Sequence, residues 1–127
     1  MISIHGNGLI ATATPEFDNP VKAKNLPKVW AVWDGTGGQN PPQSSYNVSS
    51  ITHTGTGTYQ INFITPMVDT LYCTNWTMNW SAGGGGYLCV PKYTFRYLGY
   101  CVIQTGQVAN SIAPYDCPQL SFVVYGN

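Results

Sequence analysis

Charge is what this sequence has least of. Charged residues make up 8% of the 127-residue chain, and five basic side chains balance five acidic ones. Ordinary soluble domains carry roughly a quarter charged residues. Without a basic excess, the chain lacks the surface of a nucleic-acid-binding protein and a polybasic membrane patch. It also has no run of about 18 apolar residues, so the sequence predicts no insertion into a membrane.

Helical periodicity is missing as well. Apolar residues do not recur at helical spacing over successive turns, and the helix-forming residues Glu, Lys and Arg are scarce. Instead, 14 glycines and 9 prolines divide the chain into short segments. Short alternating segments between turn signals are typical of β-strands. We therefore predict one all-β domain over residues 28–127, a β-sandwich or a jelly-roll-like barrel.

Residues 1–27 differ from the rest because Pro15, Pro20 and Pro27 interrupt them. Proline removes a donor from the hydrogen-bond ladder and breaks strands. This pattern predicts an extended N-terminal arm that docks on a neighbouring protein chain. The alternative is a first edge strand followed by a loop.

The same segment lacks the basic start and the continuous apolar core of a secretory signal peptide. A weakly charged polar surface nevertheless suits a protein outside the cell or inside an assembly. One hypothesis explains both the missing signal peptide and the weakly charged surface. The chain is made in a host cytoplasm, lies on the exposed surface of a virion and is released with it by lysis. The alternative is an unusual cytosolic β-domain.

The body of the chain alternates strands with turns. The hairpin signal is clearest around the GTG at 55–57, where two alternating stretches flank a glycine-containing turn. The predicted strands cover residues 29–33, 45–54, 58–64, 70–80, 87–90, 93–98, 100–105 and 120–126.

Two tryptophans in the first of these strands, Trp30 and Trp33, must face opposite sides because side chains alternate along a strand. The inner face of a sandwich can bury only one of them. Burying a tryptophan removes ~150–250 Å² from water, which is too much to leave exposed without reason. We predict that a neighbouring subunit covers the other, in an oligomer. The alternative is a monomer whose own arm folds back over it.

Catalytic motifs are absent from the sequence. It has no nucleophile elbow, no Walker loop and no H-E-x-x-H, and only five acidic residues and two histidines. The glycines in DGTGG and GTGTYQ lack the lysine and the following helix of a phosphate site, so turns explain them. We predict that the chain is not an enzyme and uses no cofactor.

The four cysteines are Cys73, Cys89, Cys101 and Cys117. They form no C-x-x-C pair and neither histidine is near them in sequence, which argues against a zinc or other metal site. Three disulfide pairings are open, and the sequence does not choose among them. Folding in a reducing cytoplasm favours free thiols.

Aromatic residues beside Asn and Thr suit a sugar, because a ring covers its apolar face while amides bond its hydroxyls. The candidates for contact with a host glycan are Trp76, Asn79, Trp80 and Tyr87. Packing in the core or against another subunit is the alternative for the same residues.

Two stretches resemble a module that is common in tailed bacteriophages. They are KVWAVWDGTG and SSYNVSSITHTGTGTYQINFITPMVDTLYC. The module's signature runs roughly A-W-V-N-F-N-G-T-G, then S-[YF]-N-V-S-S-I-T-D-N-G-T-G-D-Y-T-V-N-F-T-T-A-M-P-D-A-N-Y. The match covers residues 28–72, and the closing FVVYGN resembles the module's usual end. The chain departs from the signature at His53, Thr54 and Thr58, where the module tends to have Asp, Asn and Asp.

The resemblance implies a structural role in a virion, because the module usually lies near the C-terminus of tail-fibre or other virion surface proteins. We therefore expect a tail-fibre or tail-tip component with other virion proteins as partners, which contacts the host surface. The resemblance also implies a homotrimer, because the virion appendages that carry the module are usually threefold. The alternative is a capsid decoration protein that stabilises the head. A carbohydrate-binding module is the remote alternative.

Overall fold

The computed structural model describes residues 26–37, 41–79, 88–108 and 112–126. Within these ranges the chain forms nine β-strands and no helix, and all strand pairs are antiparallel. The strands make two sheets packed against each other, which confirms the all-β prediction and gives a β-sandwich-like architecture. The predicted arm lies outside the described residues, except for its last two, Leu26 and Pro27.

Each sheet draws strands from distant parts of the chain. Side by side, the strands of sheet A are β2 (Ser44–Tyr46), β1 (Pro27–Trp33), β9 (Gln119–Tyr125) and β5 (Cys73–Asn79). Those of sheet B are β3 (Val48–Gly55), β4 (Thr58–Phe63), β7 (Tyr100–Val108) and β6 (Leu88–Arg96). A short strand, β8 (Ile112–Pro114), pairs with the end of β7, on the side that β4 occupies farther along.

The core lies between the sheets and consists of alternate residues of the strands. Tyr59, Ile61 and Phe63 of β4 are buried, while Gln60 and Asn62 between them face outward, as the alternation predicts. The hairpin of β3 and β4 is also confirmed. The buried residues that sheet A contributes from its two central strands are Val29, Ala31, Trp33, Leu120, Phe122 and Val124.

The predicted strand over 45–54 is wrong in one respect, because Asn47 divides it. This residue has a φ of 58°, the left-handed conformation that Asn adopts more readily than most residues. Its Nδ2 donates to the carbonyl oxygens of Lys28 and Thr65, both at 3.1 Å. The turn therefore sends β2 into sheet A and β3 into sheet B.

The predicted strands at 87–90 and 93–98 are, in the described part of the chain, one strand, β6. A β-bulge between Pro91 and Tyr93 accommodates Lys92. Before the bulge the odd-numbered residues of β6 point inward, and after it the even-numbered ones do. Pro91 lies on the inner side opposite Thr105, and Tyr93 lies on the outer side opposite Gln104. This bulge brings the aromatic residues of β6 to the surface.

Candidate functional site

The two glycine motifs of the chain meet at one place in the fold. A Cβ on Gly35 would lie 2.5 Å from the carbonyl oxygen of Cys117, and one on Gly57 would lie 2.8 Å from the backbone nitrogen of Tyr115. Gly57 also has a φ of 67°, which favours glycine. The chain itself fills the space beside both loops, so they serve as close packing points between segments.

Asp116 holds this junction together. Its Oδ1 accepts hydrogen bonds from the backbone N–H of Gly57 and, at 3.2 Å, from the hydroxyl of Tyr59, and it lies 2.9 Å from His53 Nε2. The Tyr59 hydroxyl is also 2.8 Å from the carbonyl oxygen of Gly35. Burial, followed by the negative charge of Asp116, raises the pKa of Tyr59 far above its usual value.

The pair of His53 and Asp116 invites comparison with a catalytic dyad. Nucleophilic catalysis needs a hydroxyl or thiol within hydrogen-bond reach of the base. Among the described residues, no such group hydrogen-bonds to His53, whose ring instead stacks on Tyr59 with centroids 5.2 Å apart. The described ranges also hold no group of three side chains suited to a metal ion. The contacts of the pair join β3 to the segment before β9.

The outer face of sheet A carries one of the two predicted interface tryptophans, Trp30. It lies between Tyr46 of β2 and Val123 of β9, and Asn75 of β5 completes the row. The next row holds Val32, Ser121 and Thr77, and a hollow of about 310 Å³ lies over these outward side chains. This partly exposed, uncharged surface is available to a partner.

Trp33, the other predicted interface residue, lies in the core with no exposed surface. Its ring meets Tyr59 edge-on, with centroids 5.7 Å apart. At ~25 cal/mol per Å², burial of such a side chain contributes about 4–6 kcal/mol as an upper bound. Because the inner face already encloses Trp33, Trp30 is the one of the two predicted interface tryptophans that faces outward.

The predicted glycan contacts do not form a surface site among the described residues. Trp76 lies opposite Phe122 on the inner side of sheet A, and it packs, partly buried, against the core. Asn79 is the last residue of β5. Trp80 and Tyr87 lie outside the described residues.

Exposed apolar side chains gather at one end of the fold, where β1 begins and β9 ends. The loop between β4 and β5 crosses this end, and the Met67 N–H donates to the carbonyl oxygen of Leu98 in the β6–β7 turn at 2.8 Å. Of the ten large apolar residues that are exposed in the described ranges, eight lie here: Leu26, Tyr46, Ile64, Val68, Leu71, Tyr97, Leu98 and Tyr125. We call this surface the apolar end.

The outer face of sheet B combines aromatic rings with amides, and we call it the sheet B face. Strand register places its outward residues in rows across β4, β7 and β6. The rows are Thr58–Gln104–Tyr93, Gln60–Val102–Phe95 and Asn62–Tyr100. None of these residues is charged, and sequence reasoning missed the site, although the alternation of Tyr93 and Phe95 was a visible signal.

Hydrogen bonds hold the amides of this face in place. Asn62 Nδ2 donates to the hydroxyls of Ser50 and Thr52, at 3.0 and 3.2 Å. Gln60 Nε2 donates to Asn62 Oδ1 at 2.7 Å, and Gln104 Nε2 donates to the Thr58 hydroxyl at 2.7 Å. These bonds occupy the Nε2 atom of each glutamine amide. Among the described residues, no donor hydrogen-bonds to the Oε1 atom of Gln60 or of Gln104.

Comparison with known proteins yields no relative. The chain matches no protein-family model, no curated protein and no solved structure. In the described residues, no helix has the length and apolar character needed to cross a bilayer.

Proposed function

We propose that the chain is a structural protein of a tailed-bacteriophage virion, in the tail fibre or tail tip, exposed on the particle and in contact with the host surface. The observation that carries this proposal is the apolar end. A monomeric protein rarely leaves so many large apolar side chains together on its surface, and such a patch is typical of a contact between proteins. Assembly into a particle would cover it.

The positions that resemble the phage module support the same role. They run from the start of β1 through the loop before β5. Gly35 and Gly57 are the tight packing points of this region, and Asn47 is the turn between the sheets. The resembling residues therefore form the framework of the fold, which favours a structural role over a catalytic one.

An assembly of three copies is part of this proposal, with the outer face of sheet A as the interface. A closed cyclic arrangement would cover Trp30 and Val123 on every copy and leave no surface that polymerises. The hollow beside Trp30 could receive a side chain from the next copy. The chain would be made in the host cytoplasm and leave it inside the particle.

Light scattering tests the assembly, since a monomer has a mass of 13.8 kDa and a trimer three times that. We expect a trimer for the natural chain and a monomer for Trp30→Ser. The matched control is Tyr93→Ser, which removes a partly exposed aromatic ring from the opposite sheet and should leave a trimer. A monodisperse natural chain of monomer mass at tens of micromolar, roughly where a modest interface forms, would contradict the trimer.

Immunogold labelling of purified phage particles tests the position in the virion. We expect antibodies against the chain to label the tail. Label confined to the head would contradict the fibre proposal and favour capsid decoration. Particles that carry no label, from a lysate in which the chain is abundant, would contradict a virion role altogether.

Incorporation of variants into particles tests the apolar end. Val68 and Leu71 are 78% and 88% exposed, so the double variant Val68→Ser, Leu71→Ser should fold normally. We expect its incorporation to fall by at least about tenfold, because polar groups would replace the apolar contact. Ile112→Ser is the control, since Ile112 is 51% exposed outside the apolar end. Equal incorporation of both variants would contradict an assembly role for this surface.

A further inference from the structure

We infer that the sheet B face binds a neutral polysaccharide. The rings of Tyr93 and Phe95 stack on sugar rings, and the amides of Gln60 and Gln104 hydrogen-bond to sugar hydroxyls. The inference rests on the proposed function only in taking this polysaccharide to belong to a host surface. Binding itself depends on the residues of this face alone.

The aromatic half of the face supplies the apolar contact that a pyranose ring needs. The rings of Tyr93 and Phe95 lie with centroids 5.0 Å apart and planes inclined by 46°. Phe95 is 54% exposed although it lies within a strand, so its ring is displayed rather than packed. An aromatic ring presented in this way gains from covering the C–H face of a sugar, because both surfaces lose water.

The amide half supplies the hydrogen bonds. Its amides are held by bonds within the face, so little side-chain entropy is lost when a ligand binds. The Oε1 atoms of Gln60 and Gln104 are acceptors for hydroxyl donors. Val102 lies between Gln60 and Phe95, so acceptors and rings are one to two strand spacings apart, about 5–10 Å. A chain of sugars that crosses the strands would meet both groups.

The chemistry of the face favours this ligand over others. A polyanion needs several basic partners, and the rows across β4, β7 and β6 contain none. The two basic residues of β6 lie outside these rows: Lys92 in the bulge, and Arg96 on the inner register opposite Cys101. An apolar protein surface would bury the glutamine amides without partners, at a cost of about 1–3 kcal/mol for each unpaired group. A neutral polysaccharide offers hydroxyls to the amides and C–H faces to the rings. The site differs from the one predicted around Trp76, whose ring packs against the core.

Affinity electrophoresis of the purified full-length chain tests the inference. The probes are native gels that contain hydroxyethylcellulose, dextran or galactomannan as neutral polysaccharides, and alginate as an anionic one. We expect at least one neutral polysaccharide, but not alginate, to retard the chain. Phe95→Ala and Gln104→Leu should each weaken this binding by about tenfold, as loss of a central contact does.

Leu71→Ala is the control, because Leu71 is a large apolar residue that is 88% exposed in the loop before β5 and belongs to neither sheet. It should bind as the natural chain does. Far-ultraviolet circular dichroism and urea unfolding should show that Phe95→Ala and Gln104→Leu remain folded. The inference is overturned if no neutral polysaccharide retards the chain, if alginate alone does, or if Leu71→Ala weakens binding as much as Phe95→Ala.

The two proposals fail separately in these experiments. If antibodies against the chain label phage tails but the chain binds no neutral polysaccharide, the virion role stands and the polysaccharide site does not. A chain that binds through Phe95 and Gln104 but is absent from particles retains the site and loses the virion role.

Discussion

Asn47 and Thr65 form a double hydrogen bond across the point where the chain passes from one sheet to the other. Asn47 Oδ1 accepts from the backbone N–H of Thr65 at 2.7 Å, and Asn47 Nδ2 donates to its carbonyl oxygen at 3.1 Å. The third bond of this amide, to the carbonyl oxygen of Lys28, reaches β1. One side chain thus joins the β2–β3 turn, the loop after β4 and the start of β1 in sheet A.

Replacement of Asn47 should therefore destabilise the whole fold. We expect Asn47→Ala to lower the free energy of unfolding by about 2–4 kcal/mol, through three lost hydrogen bonds and a strained left-handed backbone. Asn47→Gly removes the bonds but relieves the strain, so its loss should be smaller by about 1 kcal/mol. Urea unfolding measures both. Equal losses in the two variants would show that backbone conformation does not contribute.

Two glycines that look alike in the sequence should respond differently to alanine. Gly35→Ala places a Cβ against the Tyr59 hydroxyl and the carbonyl oxygen of Cys117, so we expect a loss of about 3 kcal/mol or more. Gly55→Ala is the control, because no atom lies within 4 Å of its Cβ. It should be neutral or slightly stabilising. Thermal melting of the two variants decides, and a similar Tm for both would contradict the packing at Gly35.

Alkaline pH should unfold the protein through its buried acidic groups. Burial raises the pKa of the Cys101 thiol from 9.0 to about 12. Burial and the Cys89 thiol raise that of Cys117, also to about 12. The pKa values of these two thiols are higher in the folded state than in the unfolded state. Their contribution to the free energy of unfolding is therefore complete below about pH 9 and is lost as the pH rises towards 12. Burial shifts the pKa of Tyr59 and Tyr72 in the same direction.

Urea midpoints at pH 8, 10 and 11 measure this dependence. Each such group lowers the free energy of unfolding by at most about 1.4 kcal/mol for each pH unit in this range. Cys101→Ala should flatten the curve between pH 9 and 12, although it lowers stability at pH 8 through the lost contacts of the buried sulfur. A midpoint that stays constant from pH 8 to 11 would contradict the raised pKa values.

The four thiols should differ in reactivity. Cys73 is exposed on β5, Cys89 is partly buried, and Cys101 and Cys117 are buried. A thiol reacts as the thiolate, so burial and a raised pKa both slow the two core cysteines. We expect one rapid reaction with a disulfide reagent at pH 8, abolished in Cys73→Ser, and reaction of Cys101 and Cys117 only on unfolding. Any thiol that still reacts rapidly in Cys73→Ser would contradict this order.

The sequence by itself determined the fold class and the face of each residue in the regular strands. Side chains alternate with a period of two, so the order of residues alone places Trp30 and Trp33 on opposite faces of their strand. That Trp33 is the buried one was decided by the packing of the two sheets. The order of residues likewise places Trp76 and Met78 on one face of β5, and the structure shows that this face packs against the core. The boundaries failed at Asn47, because a side chain that bonds to Lys28 and Thr65 overrides the local strand pattern.

Only the tertiary structure decided which strands lie side by side. Strand order in turn decides which residues share a surface. Phe95 and Gln60 belong to the same row because β7 pairs with both β4 and β6, a choice between segments far apart in the chain. The bulge after Pro91 then turns Tyr93 and Phe95 outward. Strand pairing of this kind depends on the packing of the whole core, whereas the alternation within a strand is a local property of the backbone.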